Sequence, residues 1–361
     1  MKVKIYGAGS IGNHLANASR SLGWEVDICD IDEKALKRTK EMIYPSRYKK
    51  WDNDIGLFKN ENAPKKVYDL ICIGTPPDSH LELANLALLE KPKAILIEKP
   101  LCTPDLLNLN DFYEKIKNSN VKVFVGYDHV LGLAAKELKN YLLSQDPLNI
   151  KTFDVEFREF WGGIFKAHPW LEGPSDSYLG FSRRGGGAAC EHSHGLNFWQ
   201  SICHFLKFGR VVEVQAIMKK NTSDEIDYDE LVMLNLRAES GFVGRVIQDV
   251  ISNPSSKKAT IQLKNKRIEW ENGYNLNQDA VVEIDNNKKL NEKLFDKTRP
   301  DDFILELKHI QKHIESNSVS EISLERGIET MMVIAAAFKS VNERKNILID
   351  YSKGYNLSAL S

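Results

Sequence analysis

The feature that most constrains the fold is a glycine-rich turn near the N-terminus. Lys2–Tyr6 reads as a short buried strand, and residues 13–22 have the pattern of a helix. Between them, a G-x-G-x-x-G motif in this strand–turn–helix context predicts a dinucleotide-binding unit. The first glycine allows the tight turn, the second lets backbone approach a pyrophosphate, and the third lets the helix pack on the strand. The predicted cofactor contacts in this turn are Gly7, Gly9, Ser10, Ile11 and Gly12.

The second strand indicates which dinucleotide is preferred. Glu25–Cys29 has a strand pattern and ends at Asp30, at about the twenty-residue distance from the glycines that the motif expects. A carboxylate at this point bonds the ribose hydroxyls of NAD and repels the additional phosphate of NADP. Asp32 is the alternative residue for the role. The sequence therefore predicts NAD as the cofactor, with NADP disfavoured.

A strand over Val67–Ile73 leads into Gly74-Thr75-Pro76-Pro77. Open parallel sheets bind their ligands at the carboxyl ends of the strands. Small, rigid residues at this edge lie where the nicotinamide end of a dinucleotide is expected, so Thr75 and Pro76 are predicted cofactor contacts. His80 follows, and capping or packing of the next helix is the favoured role for it over a ligand contact.

Another short apolar run, Ala94–Ile97, ends in Glu98-Lys99-Pro100. Four apolar residues bounded by polar ones are typical of a strand buried on both faces of a parallel sheet. Glu98 and Lys99 then lie at the ligand-binding edge, and both are predicted cofactor contacts. Pro100 restricts the backbone of Lys99 and permits a cis peptide bond. The alternative is a surface lysine that happens to follow a strand.

The order of elements predicts two domains. Strands alternate with helices over residues 1–126, which predicts an α/β Rossmann domain with a doubly wound parallel sheet; the polar segment 43–66 predicts no element. From residue 211 to 284, strand patterns separated by short turns predict a large, mostly antiparallel open sheet. With its flanking helices, including two at 302–315 and 324–342, residues 127–361 form a predicted α+β domain for substrate binding and oligomerisation.

Composition bears on partners and compartment. The 361 residues include 49 basic and 50 acidic side chains, giving a formal net charge of −1. The sequence has no block of basic residues and no apolar run long enough to span a bilayer, so neither a nucleic-acid partner nor a membrane partner is predicted. The five cysteines are scattered without C-x-x-C spacing, and the N-terminus lacks a signal-peptide pattern, so we predict a cytoplasmic protein. An open sheet with one uncovered face predicts a homodimer or homotetramer.

A second dense stretch runs from Gly185-Gly186-Gly187 through Cys190, Glu191 and His192 to His194. The three glycines predict that the backbone here approaches another group closely. These residue types are metal ligands, but His-x-His aims both rings to one side only in a strand, and a helix pattern begins here. We therefore predict no metal. A purely structural role for the histidines, in capping and packing the helix, is an alternative. The favoured interpretation is that one histidine exchanges a proton during hydride transfer.

Three motifs in order, Gly7-x-Gly9-x-x-Gly12, Glu98-Lys99-Pro100 and the glycine triplet followed by His194, make the chain resemble the Gfo/Idh/MocA oxidoreductases over nearly its whole length. The resemblance implies that Lys99 orients the substrate and takes part in proton transfer, and that His194 is the general base. Ser193-His194 and Ser177-Tyr178 resemble the branch found in surface-sugar biosynthesis.

The chain also departs from that family. Many members have an aspartate where this chain has Asn197, and Glu191 is a candidate to supply the missing carboxylate. Asp128-His129 stands where a basic residue is common. The substrate contacts implied by the resemblance are Tyr178, Glu191, Asn197 and His129.

The function implied is an NAD-dependent oxidoreductase that moves a hydride between nicotinamide and a carbinol carbon of a sugar, amino sugar, nucleotide sugar or cyclitol. One alternative is an NAD-using glycosidase or epimerase with no net redox change. Another is a non-catalytic dinucleotide-sensing regulator, against which the presence of both Lys99 and His194 argues.

Overall fold

The computed structural model describes residues 1–167, 170–286, 288–298, 300–316 and 318–361. The chain divides into two compact units. The first unit contains Met1–Cys102, Asp111–Asp128 and Thr298–Leu324, and the second contains Thr103–Asn110, His129–Lys297 and Glu325–Ser361. This division passes close to the predicted boundary after residue 126, but it differs by adding a C-terminal segment to the first unit.

The first unit is built on a parallel sheet of six strands in the order β3-β2-β1-β4-β5-β6. Every residue of the two interior strands β4 and β5 is buried, which explains their uninterrupted apolar runs. The predicted doubly wound sheet is confirmed. The strands are β1 (Lys2–Tyr6), β2 (Glu25–Asp30), β3 (Ile55–Lys59), β4 (Leu70–Ile73), β5 (Ala94–Ile97) and β6 (Lys122–Val125).

The helices alternate with these strands and then accompany the second sheet. None of the described helices has an apolar stretch long enough to cross a membrane. They are α1 (Ser10–Ser21), α2 (Glu33–Arg38), α3 (Tyr44–Tyr48), α4 (His80–Glu90), α5 (Leu109–Lys117), α6 (Leu133–Leu143), α7 (Trp161–Ala167), α8 (Ala188–Glu191), α9 (Ser193–Phe205), α10 (Asp301–Glu315) and α11 (Leu324–Glu343).

The expectation that residues 43–66 form no regular element is wrong. This segment contains α3 and strand β3, and a π-helical turn, Thr39–Ile43, joins α2 to α3. Strand β3 lies at the edge of the sheet, and only Ile55 of its residues is buried. An edge strand of this kind lacks the apolar run that reveals a central strand, so its pattern resembled that of a loop.

The C-terminal segment Thr298–Leu324 joins the first unit because it packs there directly. Helix α10 contacts α1, and the Phe303 ring stacks on His14 with centroids 5.1 Å apart. The Val125 N–H donates to the Ile322 carbonyl at 2.8 Å. Contacts between residues so distant in sequence leave no local pattern, which is why the sequence predicted a single boundary.

The second unit contains a nine-stranded sheet, ordered β14-β13-β12-β11-β7-β10-β9-β8-β15. Neighbouring strands run antiparallel except for β7 and β10, so the predicted mostly antiparallel sheet is confirmed. The strands are β7 (Ile150–Phe160), β8 (Val211–Thr222), β9 (Asp227–Ala238), β10 (Val243–Asp249), β11 (Ile251–Leu263), β12 (Arg267–Asn275), β13 (Gln278–Asp285), β14 (Lys288–Asp296) and β15 (Ile347–Leu348).

Helices α6, α8 and α9 pack on the strands of this sheet. At the contact with α9, the indole of Trp199 donates to the Phe153 carbonyl at 2.9 Å, and the two rings stack at 6.2 Å. Alternate residues of β8 and β9 point away from the core: Ile217 is 66% exposed and Met233, its cross-strand neighbour, is 41% exposed. The outer face of the sheet therefore carries exposed apolar side chains.

Candidate active site

The predicted cofactor residues of the first unit are brought to one edge of its sheet. The glycine turn follows β1, Asp30 ends β2, Thr75 follows β4, and Lys99 follows β5. Since these strands are parallel, their carboxyl ends lie along the same edge. The strand order reverses between β1 and β4, which is the point at which open α/β sheets bind ligands.

The three glycines of the turn have different surroundings. Gly7 has a φ of +105°, and a Cβ there would lie 2.8 Å from the Gly74 carbonyl oxygen. A Cβ on Gly12 would lie 1.9 Å from the Gly7 oxygen. By contrast, no described atom lies within 4 Å of a Cβ built on Gly9. The backbone at Gly9 is thus open to an approaching group, as binding of a dinucleotide pyrophosphate requires.

Asp30 lies against this turn. Its Oδ2 accepts a hydrogen bond from the Ala8 N–H at 2.8 Å, and its Oδ1 accepts one from the Asp32 N–H at 2.9 Å. Asp32, the alternative ribose contact, instead caps α2 by accepting from the Lys34 N–H at 2.9 Å. Of the two carboxylates, Asp30 is therefore the one held at the glycine turn.

His80 lies between the two loops that carry the other predicted contacts. Its Nε2 is 2.7 Å from the Thr75 carbonyl and its Nδ1 is 2.9 Å from the Pro100 carbonyl. The ring is fully buried, and burial lowers the pKa of His80, so the neutral ring donates to one carbonyl at a time. This position agrees with the favoured packing role.

Lys99 itself is half-buried, and the Lys99–Pro100 peptide bond is cis. The carboxylate of its neighbour Glu98 lies against backbone, since a Cβ on Gly126 would be 2.8 Å from Glu98 Oε2. Sequence reasoning missed Glu306 of α10, a buried acid whose pKa is raised by burial and by the negative charge of Glu98. Nothing local in the sequence marks it, because Glu306 lies in an ordinary amphipathic helix.

In the second unit, the glycine triplet accommodates an internal carboxylate and backbone carbonyls. Gly187 has a φ of +80°, and a Cβ there would lie 2.1 Å from Asp229 Oδ1. A Cβ on Gly186 would lie 2.3 Å from the Tyr178 carbonyl oxygen. The carboxylate of Asp229 accepts from the Ala189 N–H at 2.6 Å and from the Ser182 hydroxyl at 2.9 Å. The close approach predicted from the glycines is thus made by the protein itself.

A second buried side chain, Gln248 of β10, holds the helices that carry the histidines. Its Oε1 accepts from the Leu196 N–H at 3.0 Å, and its Nε2 donates to the Ala188 carbonyl at 3.0 Å. Asp229 and Gln248 therefore attach α8 and α9 to the sheet. Both were missed from sequence because they occupy ordinary strand positions and their partners are 40 and 52 residues away.

His194 lies in the first turn of α9, where the structure brings it together with His129. Their ring centroids are 4.4 Å apart with an interplanar angle of 41°, and the His129 ring also contacts Phe157 at 5.3 Å. The two imidazoles, one predicted to be the base and the other a substrate contact, are thus neighbours.

His192 has different neighbours. Its Nε2 lies 3.7 Å from Glu159 Oε2, while Glu159 Oε1 accepts from the Lys257 ammonium at 2.6 Å. His192 is 4% exposed. Among the described residues, His192 belongs to no group of side chains placed to hold a metal ion together, and the absence of a metal in the protein remains a prediction.

The remaining predicted substrate contacts fall into two groups. The Tyr178 hydroxyl donates to Glu191 Oε2 at 3.3 Å, so these two side chains are brought together. Asn197 is only 2% exposed, and its amide nitrogen donates to the Thr330 hydroxyl at 3.1 Å. The structure thus gives Asn197 an internal partner 133 residues away.

The buried carboxyl of Asp229 leads to a prediction about stability. Burial raises the pKa of Asp229 from 3.8 to about 6. The folded state therefore binds this proton more tightly than the unfolded state, and its contribution to stability is lost as pH rises through 6. Relative to Asp229→Asn, the free energy of unfolding of the wild type should fall by about 2 kcal/mol between pH 4.5 and 7.5.

Urea unfolding of both proteins at a series of pH values measures this difference. Asp224→Asn, at an exposed position, is the control and should give a difference that does not change with pH. If the free energy of unfolding of the wild type relative to Asp229→Asn instead rises with pH, the hydrogen bonds from Ala189 and Ser182 outweigh the effect of burial on the pKa of Asp229.

The comparisons with known proteins agree with this fold. Residues 1–127 match the family model described as "Oxidoreductase family, NAD-binding Rossmann fold", that of the Gfo/Idh/MocA proteins. The predicted NAD-binding Rossmann domain is thereby confirmed. None of the curated protein sequences matches the chain.

Solved structures match over 96% of this chain and 98% of theirs. They include an NAD-binding oxidoreductase from Klebsiella pneumoniae, with 16% identity and a TM-score of 0.76. A levoglucosan dehydrogenase in complex with NADH has 16% identity and a TM-score of 0.75. The WlbA dehydrogenase from Bordetella pertussis, in complex with NADH and UDP-GlcNAcA, has 16% identity and a TM-score of 0.69. At such identities the likeness establishes the fold.

Proposed function

We propose, since residues 1–127 match the family model of the Gfo/Idh/MocA oxidoreductases, that the protein is an NAD-dependent dehydrogenase acting on a carbinol carbon of a sugar or a related polyol. The observation that carries the proposal is the open backbone at Gly9, at the switch point of a parallel sheet with Lys99 at the same edge. Dehydrogenases of this fold with bound NADH include enzymes named for levoglucosan and one in complex with a nucleotide sugar.

The chain's own residues have distinct parts in the reaction. Gly7, Gly9, Ser10, Ile11 and Gly12 bind the pyrophosphate, and Asp30 binds the ribose hydroxyls. When bound, NAD supplies the acceptor for the hydride. Lys99 donates a hydrogen bond to the reacting oxygen, and His194 takes the hydroxyl proton as the carbinol carbon becomes a carbonyl. In the reverse direction His194 returns that proton.

The other proposed substrate contacts are side chains of the second unit. The Tyr178–Glu191 pair offers one hydroxyl and one carboxylate for substrate hydroxyls. His129 lies beside His194 and is suited to the same task. Asn197, bonded to Thr330, acts by holding α9 in place rather than through the substrate.

The test is a screen of sugars, amino sugars, nucleotide sugars and cyclitols with both NAD and NADP. Absorbance of the reduced nicotinamide gives the redox step, and mass spectrometry identifies the product. We expect NADH formation with a dehydrogenated product. A product isomerised or hydrolysed without net NADH would replace this proposal by an epimerase or glycosidase. Tight dinucleotide binding without turnover of any substrate would point to a regulator.

A prediction on cofactor choice follows from Asp30. A carboxylate beside the NADP phosphate is repelled, so the dissociation constant for NADH should be at least about tenfold lower than for NADPH. Asp30→Asn should narrow that ratio, whereas Asp32→Asn, two residues away on the helix cap, should leave it unchanged. Fluorescence titration of each variant with both reduced cofactors measures the ratio. Equal or tighter binding of NADPH by the wild type would contradict the assignment.

A second prediction concerns assembly. We propose that the outer face of the nine-stranded sheet, which carries the exposed Ile217 and Met233, packs in a homodimer or in a homotetramer built from such dimers. Ile217→Lys should shift the mass measured by light scattering to that of a monomer. Leu276→Lys, on an exposed turn, is the matched control and should leave the assembly intact. A wild type that is monomeric at micromolar concentration would refute the proposal.

A further inference from the structure

The segment Thr39–Tyr48, which sequence analysis did not single out, is tied to the glycine turn. It comprises the π-helical turn and α3. The Thr39 hydroxyl donates to the Ala8 carbonyl, and Asn13 donates from its amide both to Thr39 Oγ1 at 3.1 Å and to the Gly9 carbonyl at 2.7 Å. Single π-turns inserted between helices are frequent at functional sites. Here the insertion places a distant piece of chain on the phosphate-binding loop.

The same segment carries a cation to the start of α1. Arg47 donates from Nη1 to the Ser10 carbonyl at 2.9 Å and from Nη2 to the Ser10 hydroxyl at 2.7 Å. Ser10 follows Gly9, the glycine whose backbone is open, and both Ser10 and Arg47 are only partly buried. A guanidinium is always ionised and has the planar geometry that matches phosphate oxygens.

Two contacts fix the direction of α3, on which Arg47 lies. The Tyr48 hydroxyl is 2.6 Å from His14 Nδ1, and the Tyr44 hydroxyl accepts from the Asn17 amide at 3.2 Å. Both partners belong to α1. Arg47 is thus held at the N-terminal end of α1 by its neighbours on either side, rather than extending freely into solvent.

We propose that Arg47 is a cofactor-binding residue that contacts the pyrophosphate of the dinucleotide at the N-terminus of α1. This inference rests on the proposed NAD-dependent function. The helix N-terminus and the open Gly9 backbone attract the phosphates, and Arg47 adds a full positive charge at Ser10. Because the pyrophosphate is common to both dinucleotides, Arg47 raises the affinity for NAD and NADP by the same factor.

The experiment measures the dissociation constants of NADH and NADPH for the wild type, Arg47→Met and Arg47→Lys at low and high salt. We expect Arg47→Met to weaken both cofactors about ten- to a hundredfold at low ionic strength. Arg47→Lys should recover part of the lost affinity, since lysine keeps the positive charge but lacks the planar guanidinium that can bind two phosphate oxygens at once. In about 1 M KCl, where charges are screened over roughly 3 Å, the difference should largely vanish.

Thr39→Val is the matched control, because it removes the bond to the Ala8 carbonyl without changing the charge. Any loss it causes should be the same at low and high salt. A loss in Arg47→Met that salt leaves unchanged, or no loss at all, would overturn the proposal. A loss confined to NADPH would overturn it too, by assigning Arg47 to the 2′-phosphate. A wild type that binds neither cofactor would instead refute the proposed function, and this inference with it.

Discussion

Replacing Lys99 with methionine is expected to reduce turnover to background at every pH. Lys99 follows the fully buried strand β5, and the carboxylate of its neighbour Glu98 lies against Gly126. Its backbone position is therefore fixed, and no other residue in the proposed mechanism makes the contact with the reacting oxygen. Removing one positioned donor from a developing oxyanion typically costs about a hundred- to a thousandfold. Loss of the proton-transfer role adds to that cost.

Steady-state kinetics with the substrate identified in the screen, from pH 6 to about 10, test this prediction. NADH affinity should remain close to that of the wild type, because the Lys99 side chain is not assigned to the phosphates. Lys93→Met is the matched control: this exposed lysine precedes β5 at its other end and pairs with Asp69 at 2.8 Å. It should leave turnover unchanged. Substantial activity of Lys99→Met at any pH would remove Lys99 from the mechanism.

His194→Ala should differ from Lys99→Met in how its turnover depends on pH. If His194 carries the proton, its loss should lower turnover by about a hundred- to ten-thousandfold, which is the usual contribution of general acid–base catalysis. The residual rate should rise with pH, since hydroxide can partly replace a missing base. The pH dependence of turnover, measured over the same range as for Lys99→Met, distinguishes a lost base from a lost contact.

His129 provides the control for that variant. Its ring is 4.4 Å from His194 and packs on Phe157, so His129→Phe keeps the ring packing and removes the nitrogens. We expect a smaller loss of turnover than in His194→Ala, with the larger part of the effect in the KM of the substrate. Unchanged turnover in His194→Ala would reject the assignment and direct attention to His129, Glu191 or His192 as the proton carrier.

The sequence predicted those parts of the molecule whose patterns are local. The strands β4 and β5 are short apolar runs buried in a parallel sheet, and the spacing of the glycines indicates the turn between β1 and α1 directly. The carboxyl ends of parallel strands share one edge, so the position of Lys99 at that edge could be predicted without coordinates.

What the sequence could not predict depends on contacts between distant residues. The glycine triplet indicated that something approaches the backbone, but only the fold shows that Asp229, some 40 residues on, occupies that space. Likewise, Arg47 is one of many charged residues in a polar segment until α3 places it on Ser10. In each case the side chain's partner, and not its own neighbourhood in the chain, determines what it does.

The placement of Thr298–Leu324 in the first unit has a consequence for how the protein is made. The ribosome releases β1 to β6 early, but Phe303, which packs on α1, and Ile322, which bonds to Val125, emerge only after the strands β7 to β14. At typical synthesis rates that interval lasts roughly ten to thirty seconds. During this time the nascent nucleotide-binding unit exposes the surface that α10 later covers. It therefore reaches its complete form only after eight of the nine strands of the second sheet have been synthesised.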